Sequence, residues 1–112
     1  HPVLGSLDYT HIPLRVLKDH FTEEFEKLKK YRTFALVREP RVRFFSAVAQ
    51  YSRLYLGKEM SGMCLGEIIK ECEEACNYLS SSGYFADARR IHFERQSHFL
   101  DLDGERIVNV VI

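Results

Sequence analysis

Residues 33–46, TFALVREPRVRFFS, decide the fold that the sequence predicts. The first five of them are β-branched, aromatic or aliphatic, which predicts a short buried strand. Arg38 follows at the carboxyl end of that strand. Pro40 suits the first position of a helix, because the N–H group that proline lacks would have no partner there. The stretch therefore predicts a strand that leads directly into a helix.

The same junction predicts a phosphate site. In open α/β sheets, ligands bind at the edge where strands lead into helices, and helix N-termini favour anions. Arg38 adds a planar guanidinium that can hold a phosphate with two hydrogen bonds. Ser46 lies about two helical turns further on and can add a hydroxyl donor. The alternative is that Arg38 pairs with Glu39 or another carboxylate, and that Ser46 is a small residue facing a neighbouring helix.

The run Val37-Arg38-Glu39-Pro40-x-x-Arg43-x-x-Ser46 resembles the V-R-[D/N]-P-x-x-R-x-x-S element of sulfotransferases, especially the carbohydrate and heparan-type branch. Two flanking segments are similar to that family as well: YTHIPL at residues 9–14 and HFERQSHFL at residues 92–100. The resemblance spans about residues 9–112. The chain departs from the family pattern at three positions, which are Glu39, Val48 and Arg95, where the family often has Asp or Asn, Tyr, and Pro.

The resemblance implies an α/β fold, with a three-layer, P-loop-like parallel sheet flanked by helices. It places the whole of residues 1–112 in a single partial domain. The sequence has no P-K-x-G-[ST]-[ST] loop, the element that binds the 5′-phosphosulfate in the family. We therefore expect this chain to correspond to the central part of such a domain, and to be inactive by itself.

The resemblance also implies an activity and a set of site residues. Sulfotransferases move a sulfuryl group from 3′-phosphoadenosine 5′-phosphosulfate (PAPS) to a hydroxyl, here on a carbohydrate, and need no metal. Arg38 and Ser46 would hold the 3′-phosphate of the donor. Arg43 either reaches the ligand or anchors the loop through carboxylates, and the structural role is slightly favoured. Arg41 is expected to be exposed to solvent.

Three further polar residues are candidates for the chemistry. His11 lies upstream of the 3′-phosphate strand, where some heparan-type members carry a catalytic His, and an imidazole with a pKa of about 6.5 suits a general base. A capping or surface role for His11 is equally open. His92 and Gln96 correspond to a family segment near the cleft and can contact substrate. Alternatively, they and His98 satisfy backbone groups of a loop.

Composition limits the other possibilities. The chain has 112 residues, with 16 basic and 16 acidic side chains. A net charge of zero argues against a general nucleic-acid binder. No apolar run is long enough for a membrane span. The compartment stays open between a Golgi lumen and a bacterial cytoplasm, and so does the oligomeric state.

The spacing of the three cysteines suits neither a zinc ribbon nor a disulfide framework, and predicts small buried residues instead: Cys64, Cys72 and Cys76.

The periodicity of apolar residues predicts alternating helices and strands. One helix begins at Pro13, capped by Thr10 or His11, and carries a stripe through Leu28. Further helices are expected at residues 40–55, 64–80 and 84–90. A turn is expected at residues 101–104, and a strand buried on both faces at residues 106–112. The stripe expected to face inward on the third helix consists of Leu65, Ile68, Ile69, Cys72, Cys76 and Leu79.

Two other classes of protein fit parts of this pattern. A nucleotide- or glycan-binding module could keep Arg38 and Ser46 without the transfer chemistry. A nucleotide kinase-like enzyme would need a G-x-x-x-x-G-K-[ST] loop upstream of the phosphate strand.

Overall fold

The computed structural model describes residues 1–81 and 88–112. Four α-helices are described: α1 (Leu14–His20), α2 (Thr22–Lys30), α3 (Pro40–Tyr51) and α4 (Leu65–Ser81). Four short strands accompany them: β1 (Phe34–Ala35), β2 (Asp101–Leu102), β3 (Glu105–Arg106) and β4 (Val110–Val111). Single turns of other helix types occur at Ser52–Leu56, Met60–Gly62, Ile91–Phe93 and Gln96–Phe99. A mixed class of helices and small sheets is thereby confirmed. The helix expected at 84–90 lies outside the described residues except for its last three, which form a turn.

The chain divides into two compact units. The first combines His1–Val37 with Arg95–Ile112, and the second is Arg38–Glu94. Each unit has its own buried apolar cluster. The prediction of a single domain stays a prediction.

The first unit packs α1 and α2 against the hairpin strand β2. Leu14, Phe25 and Leu102 form its buried cluster. Leu17 and Leu28 pack against that cluster, as the predicted stripe requires. The predicted continuous helix is wrong, however, because Phe21 adopts φ −135° and ψ 58°, which ends α1 and redirects the chain into α2. The predicted side-chain cap is also wrong, since α1 begins after Pro13 without a side-chain cap bond.

Strands β1 and β4 pair in parallel, with Phe34 opposite Val110 and Ala35 opposite Val111. Backbone bonds extend the pairing at both ends, from Val110 N to Thr33 O and from Val37 N to Ile112 O. The parallel direction agrees with the sequence interpretation.

The predicted burial of these strands is wrong. The side chains of Phe34 and Leu36 are each 71% exposed, and Ile112 is 68% exposed. The described residues place only two strands in this sheet. A parallel sheet is normally buried because helices cover both faces, and a pair of strands offers too little surface for that cover.

Strands β2 and β3 form an antiparallel hairpin around the predicted turn. Asp103 and Gly104 have φ of 51° and 80°, the left-handed pair that two-residue hairpins prefer. Arg15 donates to the Asp103 carboxylate, and Lys18 Nζ lies 3.9 Å from it. The predicted single strand at 106–112 is therefore two strands, because β3 ends at Arg106 in the hairpin and β4 begins at Val110.

The second unit packs α3 against α4. Its buried cluster consists of Ala47, Val48, Ala75 and Phe93. Pro40 opens α3 as predicted, and the helical path continues through a π-helical turn to Leu56. Gly57, with φ 65°, then ends it in the left-handed conformation.

The predicted inward stripe of α4 is only partly correct. Ala75 and Glu71 are the buried residues of this helix, while Leu65 is 72% exposed and Ile69 is 47% exposed. Phe45 and the apolar side of α4 line a shallow groove of about 660 Å³. The expectation of buried cysteines is likewise wrong for two of the three: Cys64 and Cys76 are exposed, and Cys72 is half-buried. Helical periodicity identifies an apolar side but not what covers it.

Replacing Val48 with Ala should lower the free energy of unfolding by about 1–3 kcal/mol, because two buried methyl groups are lost and a cavity remains. Val48 is only 2% exposed, whereas Val42 on the same helix is 54% exposed. Val42→Ala is therefore the matched control and should change stability by less than about 0.5 kcal/mol. Urea unfolding followed by circular dichroism measures both, and equal effects would contradict this core assignment.

Candidate anion-binding site

The N-terminus of α3 is capped by the residue that precedes it. The Glu39 carboxylate accepts a hydrogen bond of 2.8 Å from the backbone N–H of Val42. This bond, followed by one from the N–H of Arg41, lowers the pKa of Glu39. The N–H groups at the start of a helix have no partner within it, and we expected them to favour a ligand anion here. They are bound instead by the chain's own carboxylate, that of Glu39. Anion recognition here has to come from side chains.

Two guanidinium groups supply positive charge beside this cap. Burial lowers the pKa of Arg43, the Glu94 carboxylate raises it, and the charge of Arg38 lowers it again. Arg38 is therefore close enough for the two cations to repel each other. An anion that contacts both would relieve this repulsion, since opposite charges nearby favour the charged form.

Arg43 also has a clear structural contact. Its Nη1 donates a 2.7 Å hydrogen bond to the backbone carbonyl of Glu94, and Glu94 itself is 3% exposed. The guanidinium thereby holds the end of the Ile91–Phe93 turn against α3. This contact supports the structural role that the sequence favoured, and a ligand role for Arg43 stays a prediction.

The other predicted residues of this segment lie on the surface. Arg38 and Ser46 are exposed, and Ser46 directly precedes the two buried α3 residues Ala47 and Val48. The side chain of Arg41 is 89% exposed and lies 3.3 Å from Glu39, which confirms its predicted exposure. The roles of Arg38 and Ser46 in phosphate binding stay predictions.

His11, in the first unit, belongs to a compact polar turn. Its Nδ1 lies 2.9 Å from Asp8 Oδ2 and 2.8 Å from Thr10 Oγ1. Thr10 donates to Asp8 Oδ1 with both its hydroxyl, at 2.5 Å, and its backbone N–H, at 2.9 Å. These bonds, the Thr10 hydroxyl first, lower the pKa of Asp8 to about 2. Sequence reasoning missed Asp8, although an Asp side chain often accepts from the backbone N–H two residues further on, as in an Asx turn.

The predicted cluster of His92, Gln96 and His98 is divided between the two units. His92 lies in the second unit, with its Nε2 3.2 Å from Gln50 Nε2. Gln96 and His98 lie in the first unit, in the turn Gln96–Phe99. The sequence could not predict the contact of Gln50 with His92, because 42 residues separate the two. Substrate contact by His92 and Gln96 stays a prediction.

Comparison with known proteins gives no match: no family model, no curated protein and no solved structure is similar to this chain. Within the described residues, no helix has both the length and the apolar character needed to cross a bilayer.

Replacing Arg43 with Gln should lower the free energy of unfolding by about 1–2 kcal/mol, because a charged donor to the Glu94 carbonyl is lost. Arg41→Gln removes the same charge from the exposed surface of α3 and should cost less than about 0.5 kcal/mol. Chemical denaturation of the two variants compares the costs. If Arg43→Gln is no more destabilising than Arg41→Gln, the anchoring role is wrong.

The Asp8 carboxyl should titrate near pH 2 in the folded chain, against its usual value of 3.8. Because the folded pKa is the lower one, the stabilisation is complete above pH 3.8 and is lost as the pH falls through about 2. Solvent screening of this exposed turn keeps the effect below about 1 kcal/mol. A carbon-13 NMR titration measures the pKa directly.

Thr10→Ala should raise the pKa of Asp8, since it removes the hydrogen bond that lowers this pKa most. Thr22→Ala, which changes a surface hydroxyl of α2, should leave the pKa of Asp8 as it is. An unchanged pKa in Thr10→Ala would contradict the assigned cause.

Proposed function

We propose that this chain is part of a PAPS-dependent sulfotransferase, in which Arg38 and Ser46 bind the 3′-phosphate of the donor. The observation that carries the proposal is the placement of two exposed side chains: Arg38 lies just before the capped start of α3, and Ser46 lies further along that helix. Burial lowers the pKa of the nearby Arg43, Glu94 raises it, and the charge of Arg38 lowers it again. Two guanidiniums that repel each other beside an exposed hydroxyl-bearing helix form a favourable place for a doubly charged phosphate. The resemblance of residues 37–46 to the sulfotransferase element supports the same assignment.

The cap by Glu39 means that side chains, and not the start of α3, would hold a phosphate here. Its carboxylate already binds backbone N–H groups at the start of α3. A ligand must therefore compete through charge-assisted contacts with side chains, and a guanidinium binds phosphate with two parallel hydrogen bonds.

The proposal includes the sheet architecture that the resemblance implies. We infer that β1 and β4 are part of a larger, three-layer, P-loop-like parallel sheet. Thr33, Ala35 and Val37 direct their backbone bonds toward β4. In a parallel ladder alternate residues face opposite edges, so Phe34 and Leu36 direct theirs to the other edge. Those same two side chains are 71% exposed, and in the larger sheet that we infer, further elements would cover them.

The reaction would move a sulfuryl group from PAPS to an acceptor hydroxyl, without a metal. His11 is the proposed base, and His92 and Gln96 are the proposed contacts with substrate. The carbohydrate acceptor rests on the resemblance to the carbohydrate and heparan-type branch. A binding module without transfer chemistry would use the same two phosphate-binding residues.

Calorimetric titration with adenosine 3′,5′-bisphosphate tests the donor site. We expect the chain to bind the bisphosphate more tightly than 5′-AMP, which lacks the 3′-phosphate. Arg38→Ala should weaken bisphosphate binding tenfold or more, about 1.4 kcal/mol or above, and should abolish the preference. Arg41→Ala, an exposed neighbour on α3, is the matched control and should keep the preference.

Each outcome of this titration is decisive for the proposal. Equal binding of both nucleotides, or a preference that survives Arg38→Ala, would exclude the assigned phosphate site. The preference for the bisphosphate could require Arg38 while a longer chain that contains the 5′-phosphosulfate loop shows no sulfuryl transfer. That result would identify the binding module instead.

A further inference from the structure

We propose that Asp8 is a positioning residue that fixes the tautomer of His11, so that Nε2 of the imidazole is the atom that accepts a proton. This inference deepens the proposed function, since it gives His11 a partner that orients it. The role of His11 as a base rests on the proposed function. The tautomer itself is a property of the turn and can be measured without any substrate.

The hydrogen bonds around Nδ1 require a proton on that atom. An ionised carboxylate can only accept hydrogen bonds, and Asp8 Oδ2 lies 2.9 Å from Nδ1. Were Nδ1 to carry a lone pair instead, it would face the carboxylate oxygen in direct repulsion. The contact therefore selects the Nδ1–H form.

Thr10 adds an independent reason for the same proton position. A hydroxyl has a single hydrogen, and the geometry of 2.5 Å to Asp8 Oδ1 assigns that hydrogen to Asp8. Thr10 Oγ1 then presents only lone pairs to Nδ1, 2.8 Å away. Two acceptors from two residues thus surround Nδ1, and both need it to be the donor.

The backbone keeps this arrangement in place. The N–H groups of Thr10 and His11 bond to the side chain and the carbonyl of Asp8, at 2.9 and 3.0 Å. The carboxylate stays ionised across the neutral range, because its pKa is about 2. Asp8 therefore offers a permanent negative charge at a fixed position beside the ring.

A neutral imidazole with a proton on Nδ1 has its lone pair on Nε2. In the proposed reaction, the acceptor hydroxyl gives its proton to this lone pair while its oxygen forms the new bond to sulfur. The bond between sulfur and the phosphate oxygen breaks, and adenosine 3′,5′-bisphosphate leaves with that electron pair. The imidazolium formed on His11 is then stabilised by the Asp8 carboxylate, as opposite charges at this distance attract.

Long-range proton–nitrogen NMR correlation of the labelled full chain tests the tautomer. At about pH 8, well above the ordinary imidazole pKa of about 6.5, we expect a pyrrole-type Nδ1 and a pyridine-type Nε2 for His11. Asp8→Asn should shift the population toward the Nε2–H form, because an Asn amide can donate to Nδ1. Asp19→Asn, the same change on the exposed side of α1, should leave the His11 spectrum as in the parent chain.

A pyridine-type Nδ1 in the parent chain, or a His11 spectrum that is unchanged by Asp8→Asn, would overturn the proposal. Circular dichroism of Asp8→Asn confirms that the variant is folded before its spectrum is interpreted. A loss of the turn itself would appear in the amide shift of Thr10. Thr10→Val is then the second variant: it removes one acceptor and keeps the Asp8 carboxylate, so Nδ1 should stay pyrrole-type, and a pyridine-type Nδ1 in this variant would overturn the proposal.

The catalytic part has its own readout. In a longer chain with transfer activity, Asp8→Asn should lower kcat about tenfold or more and leave the KM for PAPS unchanged, since a general base acts on the chemical step. An unchanged kcat would overturn the positioning role even if the tautomer is as expected. Failure of the proposed function gives a different result. The chain would then show no preference for the bisphosphate, while His11 would still have the tautomer that depends on Asp8.

Discussion

The first unit depends on one long-range pairing, that of residues 33–37 with residues 109–112. Asn109 Oδ1 accepts from both the backbone N–H and the hydroxyl of Thr33, and the Thr33 hydroxyl accepts from the N–H of Asn109. Since 76 residues separate these partners, the pairing has to offset a large loop-closure entropy. The apolar cluster of α1, α2 and the hairpin contributes the burial that makes closure favourable.

Arginine side chains give the second unit its organisation. Arg43 fixes the carbonyl of Glu94, and Arg90 stacks on the rings of Tyr51 and Tyr78 at 4.0 and 4.5 Å. Both contacts join the segment after α4 to the helices. Arg38, by contrast, is exposed. Arg38 therefore lies where a ligand can reach it, while Arg43 and Arg90 make packing contacts that organise this unit.

Local signals in the sequence predicted local features well. Pro40 marked the start of α3, and Asp103 with Gly104 marked the hairpin turn, because these residues act through their own backbone. Exposure was predicted poorly: the apolar residues of β1 and the Leu65 side of α4 are uncovered, and periodicity contains no information about the covering surface. The same limit applies to the site. Asp8 was within reach of local turn chemistry, whereas the contact of Gln50 with His92 depends on tertiary packing.

The uncovered strand pair has a consequence for how the isolated chain behaves in solution. An open edge with apolar side chains on its faces is a template for the same edge of another molecule. Phe34, Leu36 and Ile112 make β1 and β4 such a template. Self-association would therefore grow steeply with protein concentration while the helices stay folded. Turbidity, and not a loss of ellipticity, would limit the concentration at which this chain can be studied.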